Sequence, residues 1–288
     1  MKKYLKLMRI HHYIKNGLIF TPLVFSGGLF NYNLLLKSLL GFLAFSLIAS
    51  AIYIINDIQD VEQDRLHPTK CKRPLAANEI SLTNAKVLAG VLIVVAIGIN
   101  YFIAGNTIVA WVSLILYLVL NLAYSNGLKN LPIIDVAILV SGFVFRVLYG
   151  AGITGIEISN WLYLTVIAMS FYLGLGKRRN ELIKQKNVSR KVLKYYNQGF
   201  LDKNMYMSLA LTIAFYSLWT VDPVTIARLS NDYLVWTVPL VILICMKYSL
   251  NIEGDSDGDP VEVIIKDKIL MGMVALFVFI TLGIIYIW

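Results

Sequence analysis

The stretch SLLGFLAFSLIASAIYIIN, residues 38–56, contains no Asp, Glu, Lys or Arg. A helix needs about 20 mostly apolar residues to cross a bilayer, and a backbone that faces lipid must satisfy its polar groups internally. The stretch therefore predicts a transmembrane helix. Its last residue opens a very different segment, NDIQDVEQDRLHPTKCKRPLA, residues 56–76, in which acidic and basic side chains are concentrated.

Similar apolar runs recur to the end of the chain, which is 58% hydrophobic and 15% charged. Soluble domains are about 45–50% apolar and about 25% charged, so this composition excludes a soluble protein, and the recurrence excludes a signal peptide followed by a soluble body. We predict an all-α integral membrane protein with a single polytopic domain, residues 1–288. About nine spans are expected, near residues 12–30, 38–56, 84–104, 107–124, 132–151, 159–176, 205–221, 232–250 and 269–287.

The net charge of +9 comes largely from basic residues in the N-terminal segment and in the loops after the second and sixth spans. Cytoplasmic loops of membrane proteins are enriched in Lys and Arg. We therefore expect a cell membrane protein with a cytoplasmic N-terminus, an outward-facing C-terminus and long cytoplasmic loops near residues 56–83, 177–204 and 251–268. In this context the charge favours anionic lipid or phosphate ligands, and no nucleic-acid partner is expected.

Asn56, Asp60 and Asp64 follow one another at intervals of four residues. Asp57, next to Asn56, lies three residues before Asp60, so the motif has four oxygen-bearing side chains. This spacing places them along one side of a helix end, where carboxylates oppose the helix dipole. Oxygen ligands without His or Cys favour Mg²⁺, which commonly bridges carboxylates to phosphates. We interpret all four as metal ligands, and Asp57, Asp60 and Asp64 as catalytic through the ion; a solvated acidic helix end is the alternative.

A basic cluster follows directly, with Lys70, Lys72 and Arg73 near His67. Cations beside a magnesium site suit a diphosphate, because the metal and the cations can bind different phosphate oxygens. We interpret these residues as substrate-binding, although membrane topology alone could also place basic residues here.

A second cluster, GLGKRRNELI, residues 174–183, lies at the end of the sixth span. It suits phosphate binding or a stop-transfer signal. Arg146 lies inside a predicted span, where a charge is costly unless it faces a cavity or a partner. The further substrate-binding candidates are Lys15, Asn16, Tyr124, Lys129, Asp135, Lys177, Arg178, Arg179 and Glu181.

Other features predict no additional site. Cys71 and Cys245 are far apart and lack a CxxC or Cys/His spacing, so neither a disulfide nor a zinc site is expected. The acidic loop EGDSDGDP, residues 253–260, lacks the spacing of an EF-hand, and a solvated turn is expected instead.

With these motifs the chain resembles the UbiA-type prenyltransferase superfamily, membrane enzymes with an NDxxDxxxD motif after the second helix. The resemblance implies a UbiA-like helix bundle with an active-site cavity facing the cytoplasm. Typical members carry a second motif, DxxxD, after the sixth helix. This chain has GKRRNEL at residues 176–182 instead.

Within the superfamily, the chain resembles the decaprenyl-phosphate phosphoribosyltransferase branch. The matching stretches are RIHHYIKNGLIFTPL (9–23), residues 56–76, LAYSNGLKN (122–130), GKRRNEL and GDPVEVIIKDKIL (258–270). The resemblance implies Mg²⁺-dependent transfer of a phosphoribosyl group from phosphoribosyl pyrophosphate to a polyprenyl phosphate, with release of pyrophosphate. Prenyl transfer from a prenyl diphosphate to an aromatic or other acceptor, and a transporter, are the alternatives; a homo-oligomer is left open.

Overall fold

The computed structural model describes residues 2–66, 69–184, 191–254 and 258–287, and these residues contain helices but no β-strand. The α-helices are α1 (Lys2–Met8), α2 (Thr21–Phe25), α3 (Tyr32–Gln59), α4 (Val61–Arg65), α5 (Leu82–Ala104), α6 (Ile108–Ser125), α7 (Ile134–Thr154), α8 (Asn160–Lys184), α9 (Gln198–Thr220), α10 (Pro223–Leu229), α11 (Val238–Glu253), α12 (Pro260–Lys266) and α13 (Lys268–Tyr286). Short 3₁₀ segments cover Ile10–Phe20, Lys70–Lys72, Leu128–Asn130, Lys191–Tyr195 and Tyr233–Thr237.

Within the described ranges, six helical segments are long and apolar enough to cross a membrane: α3, α5, α6, α7, Tyr233–Glu253 and α13. The pair α9 and α10, bent by 53°, makes a seventh if it forms one broken span. The chain is thus an all-helical, multi-pass membrane protein, as predicted. The count of nine is not confirmed, because the predicted first span consists of a 3₁₀ segment and the short α2, and α8 is not among the six.

The chain divides into two compact units. Unit 1 comprises Met1–Leu23, Asn31–Asn126 and Phe145–Ile156, and unit 2 comprises Val24–Phe30, Gly127–Val144 and Glu157–Trp288. The single polytopic domain stays a prediction.

Unit 1 is organised around α3, most of whose apolar length is buried. Phe45 and Ile48 of α3 pack in one core with Tyr117 and Tyr149, and Asn31 caps the start of the helix by accepting hydrogen bonds from two backbone amides. The carboxyl end of α3 is therefore held in place by packing along the helix.

Glycines allow the second half of α7 to approach its neighbours closely. A Cβ atom at Gly150 would collide with the backbone of Ile19, and one at Gly152 would collide with the backbone of Ala110. Small residues permit such approaches between membrane helices. This packing fixes the part of α7 that carries Arg146.

Unit 2 has its own apolar core, in which Leu162, Tyr216, Trp219, Leu234 and Ile284 are buried together. These residues come from α8, α9, α13 and the segment before α11. Leu162 lies in the first turn of α8, so this core anchors the amino end of the helix, whereas the second basic cluster lies at its carboxyl end.

Candidate active site

The acidic motif lies at the end of α3, but it is not contained in one helix. The helix ends at Gln59, Asp60 forms a junction with φ −93° and ψ 5°, and α4 then begins. Backbone hydrogen bonds from Asp60 to Asn56 (3.0 Å) and from Asp64 to Asp60 (2.8 Å) continue through the junction. Asp57 and Asp64 are both only 3% exposed, and Asp60 is half-buried.

Two arginines pair with the buried carboxylates. Nη1 of Arg73 donates to Oδ1 of Asp57 at 3.1 Å and to Oδ2 of Asp64 at 2.6 Å. Nη2 of Arg9 donates to the same Asp57 oxygen at 2.5 Å. Burying a carboxylate is costly unless it is paired and hydrogen-bonded, and these guanidinium groups supply both.

Arg9 was missed by the sequence prediction, which considered it only as a topological charge. Its backbone is in the left-handed region, with φ 52° and ψ 48°, between α1 and the 3₁₀ segment. Its guanidinium also lies over the ring of Tyr53, 4.7 Å from the centroid. The available signal was its position at the start of the RIHHYIKN stretch, but nothing in the sequence connects it to a carboxylate 48 residues away.

The amide of Asn56 is tied to α6, because Oγ of Ser125 donates to Oδ1 of Asn56 at 2.5 Å. Gln59 and Asn126 form a second hydrogen bond between the same helix ends, at 3.1 Å. Tyr124, the neighbour of Ser125, is half-buried. The end of α3 is therefore held by polar contacts as well as by its apolar core.

The residues present fit a divalent cation that is shared with a phosphate ligand. Asp57 and Asp64 both contact one cationic nitrogen of Arg73, so the two carboxylates converge on a single positive atom. Among the described residues no group of three or more His, Cys, Asp or Glu side chains could hold a metal. Mg²⁺ is commonly bound through one or two carboxylates, with phosphates and water completing its coordination. Two converging carboxylates suit a metal ion whose remaining ligands are phosphate and water better than a metal ion coordinated by protein side chains alone.

The basic loop surrounds Arg73 with exposed cations. Lys70 and Lys72 are exposed, and the backbone carbonyl of Lys72 accepts a hydrogen bond from Nζ of Lys6 at 2.9 Å. His67 lies outside the described residues. Lys70 and Lys72 lie at the surface next to Arg73, where they can attract an anion.

Arg146 is buried in the second half of α7 and donates hydrogen bonds to two uncharged side chains. Its Nε donates to Oδ1 of Asn16 at 2.7 Å, and its Nη2 donates to the hydroxyl of Tyr117 at 3.1 Å. The guanidinium also lies 5.1 Å from the ring centroid of Phe45. Nδ2 of Asn16 donates to Ser46 at 2.8 Å. The geometry therefore assigns Asn16 to orienting Arg146, while Lys15 beside it is half-buried.

In unit 2, Arg178 forms a buried network with two acids. Its Nε donates to Oδ2 of Asp135 at 2.5 Å, and its Nη1 donates to Glu181 at 2.6 Å; Arg178 and Asp135 are 0% exposed. The hydroxyl of Tyr196 donates to the other oxygen of Asp135 at 2.6 Å. Burial, together with this hydrogen bond to a carboxylate, raises the pKa of Tyr196 to about 12, so the phenol remains a donor.

The three basic residues of the α8 cluster, Lys177, Arg178 and Arg179, thus have different surroundings. Arg179 is 7% exposed, and its Nε donates to Asp202 at 2.5 Å. Its Nη1 is buried and has no hydrogen-bond partner among the described residues. Lys177 and Lys129 are half-buried. The two acids that pair with Arg178 are buried or nearly so, whereas Nη1 of Arg179 has no partner among the described residues, so Arg179 is better suited than Arg178 to bind an anion directly.

The loop before α12 differs from the predicted solvated turn at one position. Gly258 is buried with φ 74°, and its Cα lies so close to the backbone of Lys177 that a Cβ would come within 2.9 Å of the Lys177 Cα. Residues 255–257 of this loop lie outside the described residues. Hydropathy gave no sign of this contact, because the loop is acidic and polar.

Comparison with known proteins gives consistent results. Residues 18–266 match the model of the UbiA prenyltransferase family. The chain is 32% identical to a decaprenyl-phosphate phosphoribosyltransferase of Corynebacterium glutamicum, over 98% of this chain and 86% of the relative. It is 33% identical to the protein of that name from Mycolicibacterium smegmatis, over 92% and 87%. A solved UbiA homologue of Archaeoglobus fulgidus, bound to GPP and Mg²⁺, has a TM-score of 0.73 at 19% identity, covering 98% of this chain and 99% of its own.

Proposed function

The chain belongs to the UbiA prenyltransferase family, and we propose that it transfers the 5-phosphoribosyl group of phosphoribosyl pyrophosphate to a polyprenyl phosphate. Its similarity to decaprenyl-phosphate phosphoribosyltransferases over nearly the whole chain supports this choice within the family. The observation that carries the proposal is the convergence of Asp57 and Asp64, two buried carboxylates, on a single cationic nitrogen.

In the proposed reaction, an oxygen of the acceptor phosphate forms a bond to C1 of the ribose. The bond from C1 to the pyrophosphate oxygen breaks, and its electron pair leaves with pyrophosphate. The acceptor phosphate is already anionic, so the reaction needs no strong general base.

Asp57 and Asp64 would hold Mg²⁺, with Asn56 and Asp60 as the other proposed ligands. The bound ion would neutralise charge on the leaving pyrophosphate. Arg73, Lys70 and Lys72 would bind the remaining phosphate oxygens, because guanidinium and ammonium groups donate several hydrogen bonds to phosphate. The burial of the carboxylates keeps them oriented and restricts water at their oxygens.

The α8 cluster supports a phosphorylated acceptor. Where the resemblance implies a second aspartate motif, this chain carries Lys177, Arg178 and Arg179. We propose that Lys177 and Arg179 bind phosphate, since Nη1 of Arg179 lacks a hydrogen-bond partner among the described residues. Arg178, Asp135 and Glu181 act as positioning residues that fix this segment of α8.

The donor can be identified by a paired assay on the purified protein with Mg²⁺. One reaction contains polyprenyl phosphate and phosphoribosyl pyrophosphate labelled in the ribose, and the other contains labelled geranyl diphosphate with an aromatic acceptor. We expect label in the lipid fraction of the first reaction only. Label in the product of the second reaction alone would instead establish prenyl transfer.

A further inference from the structure

Two buried carboxylates, Asp57 and Asp64, are paired with two guanidinium groups. Asp57 and Asp64 contribute two negative charges, and Arg9 and Arg73 contribute two positive charges within hydrogen-bond distance of them. Adding a divalent cation to this set, with both guanidinium groups in place, would bring like charges together next to nearly buried oxygens. Such repulsion is strong where solvent screening is weak.

We propose that Arg9 and Arg73 are exchangeable counter-ions of the metal-binding carboxylates. Without donor they neutralise Asp57 and Asp64. When donor and Mg²⁺ bind, the guanidinium groups move to the diphosphate and the metal takes their place on the carboxylates. Metal and diphosphate therefore bind cooperatively, and the metal binds weakly alone. The inference rests on the proposed function only in that the donor carries a diphosphate.

The carboxylates are held in helices, whereas the arginines are partly exposed, and an exchange of counter-ions requires this difference. Asp57 is fixed in the last turns of α3, and Asp64 is fixed in α4. Arg9 and Arg73 have side chains 21% and 28% exposed, and both lie outside α-helices. Their guanidinium forks match phosphate as well as carboxylate oxygens. The carboxylates can therefore stay in place while the arginines change partners.

The backbone of Arg9 gives independent support for a specific role. A residue other than glycine is uncommon in the left-handed region, and such strain is often found at functional sites. Here the strained residue interrupts the helical N-terminus and directs a guanidinium to Asp57. Any α-helical continuation from α1 would change the direction of this side chain.

The test measures Mn²⁺ binding to the full-length protein in detergent by electron paramagnetic resonance, with and without inorganic pyrophosphate. A titration of Mn²⁺ with pyrophosphate in the absence of protein gives the baseline. For the wild-type protein we expect pyrophosphate to tighten Mn²⁺ binding by about 5- to 150-fold, the usual range of coupling between ligands.

The variant Arg73→Gln removes the guanidinium from both carboxylates. It should bind Mn²⁺ alone at least about fivefold more tightly than the wild type and show a smaller effect of pyrophosphate. Native Arg9 pairs with Asp57, whereas Arg73 pairs with both carboxylates. Arg9→Gln should therefore also tighten Mn²⁺ binding, but by less than Arg73→Gln. It tests the proposal if Arg73→Gln does not fold. Arg65→Gln is the matched control: Arg65 lies in α4 and pairs with Glu62 and Asn78, so its loss should leave Mn²⁺ binding unchanged.

The proposal is overturned if the folded arginine variants bind Mn²⁺ alone no more tightly than the wild type, or if pyrophosphate does not tighten binding to the wild type. The assay contains neither ribose nor lipid. If Mn²⁺ binding responds as expected but the protein transfers no phosphoribosyl group, the counter-ion exchange is supported and the proposed function is refuted. If the protein transfers the phosphoribosyl group but Mn²⁺ binding does not respond as expected, the proposed function is supported and the exchange is refuted.

Discussion

Arg178 and Arg73 each bridge two carboxylates, yet their surroundings give them different roles. Arg178 is 0% exposed, and Tyr196 holds its partner Asp135 from the other side. The side chain of Arg73 is 28% exposed, and its neighbour Lys72 lies at the surface. A fully buried ion pair cannot exchange partners without leaving a buried charge unpaired, which is costly. A partly exposed arginine can instead rotate from a carboxylate to a bound ligand.

Arg178→Gln should therefore destabilise the protein severely. It leaves Asp135 buried without its cation, a change that typically costs about 3–5 kcal/mol. Denaturation by sodium dodecyl sulfate, followed by circular dichroism, measures the effect. Lys266→Gln is the control, because Lys266 and Glu262 form an exposed pair and its loss should change stability by no more than about 1 kcal/mol. Equal stability of the two variants would refute the structural role of Arg178.

Asp64→Asn should reduce transferase activity by about 10²–10³-fold, because it removes a charged ligand from the leaving-group site. The change is nearly isosteric. Glu62→Gln is the matched control, since Glu62 lies on the same short helix, is exposed, and pairs with Arg65 only on the surface. Initial rates at saturating donor compare the variants. Activity of Asp64→Asn close to that of Glu62→Gln would show that the Asp64 carboxylate is dispensable.

At this scale, the sequence predicts short-range geometry better than long-range pairing. The helical spacing of Asp57 and Asp64 was enough to group them, and both are buried beside the same arginine. The pairing of Asp135 with Arg178 joins residues 43 positions apart, and no periodicity carries that information. From the sequence alone we therefore interpreted Arg178 as a substrate-binding residue without knowing its acidic partners. In the structure its guanidinium is paired with two acids, Asp135 and Glu181.

Among the helices, apolar runs predicted spans well where the run is uninterrupted. The predicted spans near residues 38–56, 84–104 and 107–124 correspond to α3, α5 and α6. The predicted span near 12–30 does not form one long helix, because its first part is a 3₁₀ segment beginning next to Arg9. Composition also could not locate the end of α3 at Gln59, since the acidic residues continue with helical spacing through the junction.

Helix packing gives a prediction for α7. Gly150→Ala should destabilise the protein by about 1–3 kcal/mol, because the added Cβ overlaps the backbone of Ile19, which cannot rotate away. The same denaturation assay measures the loss. Gly90→Ala in α5 is the control: its Cβ would meet nothing within 4 Å, and alanine is the better helix former by about 1 kcal/mol. A Gly150→Ala variant as stable as Gly90→Ala would contradict the close contact.

For the whole molecule, family membership was the most reliable inference from sequence. The motif that begins at Asn56 pointed to the UbiA family, and residues 176–182, which depart from the family's second motif, pointed to the branch; the prediction of a transferase of this family is confirmed. Orientation in the membrane stays a prediction, because it depends on the distribution of Lys and Arg rather than on any contact. The identity of the donor likewise stays a proposal, because the spacing of basic and acidic side chains predicts only that the ligand is an anion.

The proposed orientation can be tested with a natural cysteine. Cys71 lies in the basic loop and is half-exposed, whereas Cys245 is buried. A membrane-impermeant maleimide should label wild-type protein in inside-out vesicles but not in right-side-out vesicles. Cys71→Ser should abolish this labelling. Labelling of Cys71 in right-side-out vesicles would place the basic loop outside the cell and reverse the proposed topology.

Phosphoribosyl transfer at the α3 carboxylates is tested most directly by mass spectrometry of the lipids that the purified protein forms. Wild-type protein and Asp57→Asn are each incubated with Mg²⁺, phosphoribosyl pyrophosphate and a mixture of polyprenyl phosphates. The wild type should convert polyprenyl phosphate to a product heavier by one phosphoribosyl group, and Asp57→Asn should form almost none. No such product from the wild type, or equal yield from the variant, would contradict the proposed reaction at this site.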